Sequence, residues 1–122
     1  GSLNMWICLS DAFLSVVDKD CAPDELLVRA RRDGDIEKLF ADAKVEVTLG
    51  NDYRCRARVK RAEVAKVLAE RVAAIDYSNF KGSTRDDELH DAYMDAWHAF
   101  GKLQPGGPYS SGLGSRSGRV GR

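Results

Sequence analysis

Cysteine, proline and histidine are scarce in this chain of 122 residues, its formal net charge is zero, and it has no long hydrophobic run. Each shortage excludes something. Cys8, Cys21 and Cys55 are odd in number and lack C-x-x-C spacing, which argues against a disulfide framework or zinc ribbon and for free thiols in a reducing cytoplasm. None of the three sits in a signature of the kind that surrounds a catalytic thiol, so a cysteine enzyme is not expected. The two histidines, His90 and His98, lie eight positions apart, too far along one helix to ligate a single ion, so no metal is expected. Eleven glycines are present, but none forms a phosphate-cradling loop before a helix, so no nucleotide cofactor is expected. No apolar stretch approaches the roughly 20 residues that span a bilayer, so the protein is expected to be soluble and off the membrane.

Nineteen basic and nineteen acidic residues cancel, which argues against a surface that binds polyanions everywhere but leaves local segregation open. The charges are segregated. Basic residues gather at Arg29–Arg32, Arg54–Arg61 and the C-terminal tail, while Asp86, Asp87, Glu88, Asp91 and Asp95 gather in one late segment.

The stretch around which the pattern is organised is Tyr53 to Arg61, YRCRARVKR. Tyr53, Cys55, Ala57 and Val59 alternate with Arg54, Arg56, Arg58 and Lys60, so a strand here presents one apolar and one cationic face. Upstream, Trp6–Ser10 and Phe13–Val17 read as a hairpin about Asp11-Ala12, with Trp6 and Tyr53 expected on the apolar face. Leu26–Arg32 alternates in the same way, with Arg29 and Arg31 on its polar side, and Asp33-Gly34 ends it. Asp35 is placed to cap a short helix through Ile36, Leu39 and Phe40. Lys44–Leu49 alternates with Val45, Val47 and Leu49 inward, and Gly50-Asn51-Asp52 turns into the cationic strand.

From Ala62 to Ile75 the apolar period changes to that of a helix, with Val64, Val67, Leu68, Val72 and Ile75 on one stripe. After a connector, Asp76–Thr84, a second amphipathic helix is expected over Arg85–Leu103, with Leu89, Tyr93, Trp97 and Phe100 on one face and Ser83 or Thr84 as its cap. The order βββαββαα implies an α+β, two-layer fold: an antiparallel sheet of about five strands with helices packed on one face. Residues 1–4 read as a cloning remnant and 5–104 as a single domain; the Gly/Ser/Arg-rich 105–122 read as a disordered tail.

Four segments, DAFLSVV, LLVRARRDGDIEKLF, IDYSNFK and H-x-x-A-Y-x-x-x-W over His90–Trp97, together resemble a family of small bacterial and phage proteins of about this length with no known activity. The resemblance implies a stand-alone cytosolic domain of the kind found near phage and mobile-element genes. Asn79, Phe80, Lys81, His90, Tyr93 and Trp97 match its motifs.

No residue set spells out a reaction, so no catalytic residue is assigned. The leading expectation is a non-enzymatic binding module whose basic sheet face, formed by Arg29, Arg31, Arg54, Arg56, Arg58 and Lys60, engages an anionic protein surface or a nucleic acid. Asn79, Phe80, Lys81 and His90 are expected to help, and a regulator or inhibitor that occludes its partner is the implied role. The plainer alternative is a solvated face laced with cross-strand ion pairs, to which Glu46, Asp18 and Asp20 would contribute. Two further alternatives are a small hydrolase or nuclease using His90 with Asp86 or Asp87, and a homodimer formed through an uncovered sheet edge or face.

Overall fold

The computed structural model describes residues 4–106. The chain divides into two compact units, residues 1–84 and 85–122.

The first unit is built on a five-stranded antiparallel sheet of order β1-β2-β3-β5-β4. Its strands are β1 (Asn4–Cys8), β2 (Phe13–Val17), β3 (Glu25–Ala30), β4 (Glu46–Val47) and β5 (Cys55–Lys60). Three helices belong to it: α1 (Asp35–Leu39), α2 (Arg61–Ala73) and α3 (Phe80–Ser83). This is the two-layer α+β arrangement that the alternation and its change of period predict.

Side chains directly opposite one another in antiparallel strands share a face. Leu14 faces Ala30 and Val16 faces Val28; Val28 faces Ala57, Ala30 faces Cys55, and Leu26 faces Val59. These form one continuous apolar layer. Ile36, Leu39 and Phe40 of the α1 region and Val64 of α2 close over it, with Ile7, Val67 and Leu68 at its margin. Leu14, Val28, Ala30 and Ile36 are essentially sealed from solvent. Burial of this kind is worth about 25 cal/mol per Å² of apolar surface, so this layer carries the stability of the unit.

Several local expectations are corrected. Asp35 is the first residue of α1, not its cap; Gly34, in the left-handed region at φ 95°, takes the cap position. The Asp35 carboxylate is buried and accepts Phe13 N–H at 3.1 Å and Arg32 Nη2 at 3.0 Å, with Lys38 Nζ 3.7 Å away. It joins β2 to α1, and two donors with a nearby ammonium supply what a buried carboxylate needs. β4 is two residues long; Val47 lies opposite Cys55 on the helix-covered side, but both it and Leu49 are exposed. Thr48 N–H still bonds to Arg54 C=O at 2.8 Å, so pairing extends one step beyond the ladder. α2 ends at Ala73, short of the expected Ile75, and both Val72 in its last turn and Ile75 beyond it are exposed. The β1–β2 loop is tied to α2 by a bidentate pair, with Arg71 Nη1 and Nη2 donating to Asp11 at 2.9 and 3.1 Å.

The second unit contains α4 (Asp87–Gly101), with Leu89 and Tyr93 buried and Trp97 and Phe100 exposed. Asp86, not Ser83 or Thr84, caps it by accepting Leu89 N–H at 3.2 Å. Ser83 and Thr84 instead bond back to Phe80 C=O. Among the described residues no helix is long and apolar enough to cross a membrane. The expected disordered tail lies, beyond Gly106, outside the described residues.

Candidate anion-binding face of the sheet

Every strand of the sheet contributes one residue to a single row on the face opposite α1 and α2. Trp6 of β1 stands opposite Ser15 of β2, Ser15 opposite Arg29 of β3, Arg29 opposite Arg56 of β5, and Arg56 opposite Glu46 of β4. The parity that buries Leu14 and Val28 forces this row outward.

Two aromatic placements are therefore corrected. Trp6 shares the cationic face and is 62% exposed. It meets Phe13 edge to face, with centroids 6.2 Å apart. Tyr53 precedes the first regular residue of β5, so the period-two rule does not reach it. Its buried ring lies 4.5 Å from the Arg29 guanidinium carbon and 4.4 Å from that of Arg31, a double cation–π contact.

The six expected cations fall into two groups. Arg54 lies 3.1 Å from Asp33, Arg58 lies 3.1 Å from Glu46, and Lys60 lies 2.7 Å from Asp24. The Arg54 Nε points off the line to Asp33 and makes no hydrogen bond, but Arg54 Nη2 donates to the same carboxylate at 3.3 Å. Asp24 raises the Lys60 pKa by hydrogen bonding, and Lys60 lowers that of Asp24 in return. Glu46 is thus the neutralising neighbour that the alternation predicts, whereas Asp18 pairs with Arg61, and Asp20 offers Arg58 only its carbonyl.

Arg29, Arg31 and Arg56 have no carboxylate partner among the described residues. Arg29 Nη2 donates to Ser15 Oγ at 2.9 Å, Arg31 Nη1 to Asp52 C=O at 2.7 Å and Arg56 Nη2 to Tyr53 C=O at 3.4 Å. The Nε atoms of Arg29 and Arg56 are buried without any hydrogen-bond partner. Like charges directly opposed across two strands destabilise a sheet, and an orphaned buried donor costs about 1–3 kcal/mol. Tyr53 offsets part of this cost by holding two of the three guanidinium groups against its ring.

The remaining expected residues do not join this face. Asn79 caps α3 by accepting Gly82 N–H at 3.2 Å, and Phe80 packs on Tyr77 at 6.1 Å. Lys81 is half-buried in α3. His90 belongs to the second unit, where its Nδ1 lies 4.0 Å from Asp91 Oδ1 while Asp86 is engaged as the α4 cap. Among the described residues no group of three His, Cys, Asp or Glu side chains could hold a metal ion.

The three cysteines are free. Cys55 is buried as expected and its thiol is pushed up by burial and then by Asp33, whereas Cys8, at the end of the edge strand, is exposed. On the other side of the sheet, a cavity of about 580 Å³ between β1 and α2 is lined mainly by Met5, Ile7, Val16, Leu26, Val64 and Leu68. Its charged lining residues, Asp18 and Arg61, pair with each other at 3.1 Å.

Trp6 and Tyr53 are the members of this face that sequence pattern misassigns. For Trp6 the signal is Ser15: in an otherwise apolar β2, the one serine marks the outward parity. Tyr53 has no such signal. No family model, curated protein or solved structure matches the chain, so the reading of this face rests on its own residues.

Proposed function

We propose that the protein is a non-enzymatic binding module that takes an anionic partner on the helix-free face of its sheet, through Arg29, Arg31 and Arg56. The observation that carries this reading is the direct opposition of Arg29 and Arg56 across β3 and β5, with no carboxylate paired to either among the described residues and a buried Nε on each that has no partner among them. An ordinary solvated face would carry pairs such as Arg58–Glu46 throughout. Here the paired cations frame an unpaired centre. An oxyanion supplies both the negative charge and the acceptors that this centre lacks, and the planar guanidinium fork suits it better than an ammonium would. A module of this kind acts by occupying its partner's surface, which fits a regulator or inhibitor.

The test uses long-chain inorganic polyphosphate as probe. Arg29→Gln and Arg56→Gln should each weaken its binding at least fivefold while leaving the circular dichroism spectrum unchanged, because a hydrogen bond to a charged group is worth about 1.5–3 kcal/mol. Undiminished affinity in the double variant would remove the basis of the proposal.

A further inference from the structure

We infer that the anion taken by this face is the backbone of a single-stranded nucleic acid, with Trp6 as a stacking platform for one of its bases. The inference rests on the anion-binding reading above and adds a partner class to it. Its observation is separate: an indole 62% open to solvent stands in the same cross-strand row as Arg29 and Arg56. A large aromatic on an open sheet face is costly to leave in water unless it meets a partner. With strands about 4.8 Å apart, Trp6 stands roughly 10 Å from Arg29 and roughly 14 Å from Arg56 along that row. Ser15, between them, is sealed from solvent and bonded to Arg29, so the row runs from an aromatic at one edge through Arg29 and Arg56 to Glu46 at the other, whose carboxylate Arg58 takes.

Single-strand binders combine these two elements, stacking unpaired bases on aromatic rings while cations follow the phosphates. A duplex keeps its bases within the stack and could not use Trp6. The edge-to-face contact with Phe13 and the Tyr53 contacts with Arg29 and Arg31 hold indole and guanidinium groups in place before binding. Such preorganisation lowers the ordering cost of association. An acidic protein could satisfy the arginines as well, and the experiment separates it.

Fluorescence-anisotropy titrations of the full-length chain would use a labelled mixed-sequence single-stranded RNA, the matching single-stranded DNA, the duplex form of each, and unlabelled polyphosphate as competitor. The variants are Trp6→Ala, Arg56→Gln, and Arg116→Gln/Arg119→Gln/Arg122→Gln, which neutralises the arginines near the C-terminus. The expected result is single strand bound in preference to duplex, with Trp6→Ala weakening it roughly tenfold. The logarithm of affinity should fall against that of salt with a slope of about −2, from three phosphate contacts at about 0.7 each, and Arg56→Gln should flatten it by about 0.7. The C-terminal variant should keep both the single-strand preference and the Trp6 effect.

Polyphosphate binding that needs Arg56, combined with oligonucleotide binding indifferent to Trp6 or to strandedness, would overturn this inference and leave the anion-binding reading standing. Loss of oligonucleotide binding in the C-terminal variant alone would also overturn it. Failure of every polyanion to bind would overturn both readings.

Discussion

The two faces of the sheet are made by alternate residues of the same strands, yet they solve opposite problems. Leu27 and Val28 are consecutive and both sealed from solvent. Val28 is sealed by helices: its face carries Leu14, Val16, Ala57 and Val59, and Ile36, Phe40 and Val64 close over them. Leu27 stands in register between Val17 and Arg58 and two residues from Arg29. The aliphatic stems of long cationic side chains cover apolar surface while their heads stay wet. One face gains stability by excluding water from everything on it; the other accepts an unbalanced charge at its centre. The contrast teaches that the arginine face is where stability has been spent, and that unpaired charge, more than charge alone, marks the place to look for function.

Substitutions should separate the faces cleanly. The largest effect is expected from Leu14→Ala, which opens a cavity on the helix-covered side and should cost about 2–5 kcal/mol in urea unfolding. Asp35→Ala should follow at about 2–3 kcal/mol, since it orphans Phe13 N–H and removes the Arg32–Asp35 ion pair. On the other face, Arg29→Gln with Arg56→Gln should change the unfolding free energy by less than about 2 kcal/mol, because relief of an opposed pair of like charges offsets loss of the Arg29 bond to Ser15 and its contact with Tyr53. A loss above about 2 kcal/mol there would make the arginines structural and erase the distinction between the faces.

The smallest effect concerns the pair that anchors the β1–β2 loop. The hydrogen bond from Arg71 is the main influence holding Asp11 below the usual carboxylate range. A carboxylate with a lowered folded-state pKa adds stability that is present above its unfolded value, near 3.9, and is lost as pH falls through the folded value. Arg71→Ala should therefore flatten the acid side of the stability–pH curve below about pH 4, by less than about 1 kcal/mol because both side chains are part-exposed.

Cysteine labelling offers an independent check on the geometry of the two faces. Cys8, exposed beyond Trp6, should react with a thiol reagent in the native protein, while Cys55 should react only on unfolding. Native reactivity at Cys55 would contradict the packing of the helix-covered layer.

The fold was readable wherever one period held without competition. Strand β5 alternates strictly between apolar and charged residues, and β3 does so apart from Leu27, so their faces and the Glu46 counter-charge follow from the pattern. In β1 and β2 both alternate sets are apolar; Trp6, Phe13 and Val17 look as core-like as Ile7, Leu14 and Val16, and only Ser15 breaks the tie. Tyr53 could not be placed because it precedes the regular strand, and its position is set by tertiary contact with Arg29 and Arg31. Asp35 sits where a cap is expected, but burial against Phe13 and Arg32 outweighs that local preference. The division of the cations into paired and unpaired groups was out of reach for the same reason, since Asp24 and Asp33 meet Lys60 and Arg54 only through the folded chain.

The measurement that bears most directly on the central claim is the dissociation constant for polyphosphate of Arg56→Gln set against that of Lys60→Gln, at one salt concentration. Both variants remove one positive charge from the same face of the same strand. If the unpaired centre is the site, Arg56→Gln should weaken binding at least fivefold, and Lys60→Gln, whose charge Asp24 already answers, should change it less than twofold. Equal weakening by the two would mean that only the summed charge of the face matters, and would contradict the account.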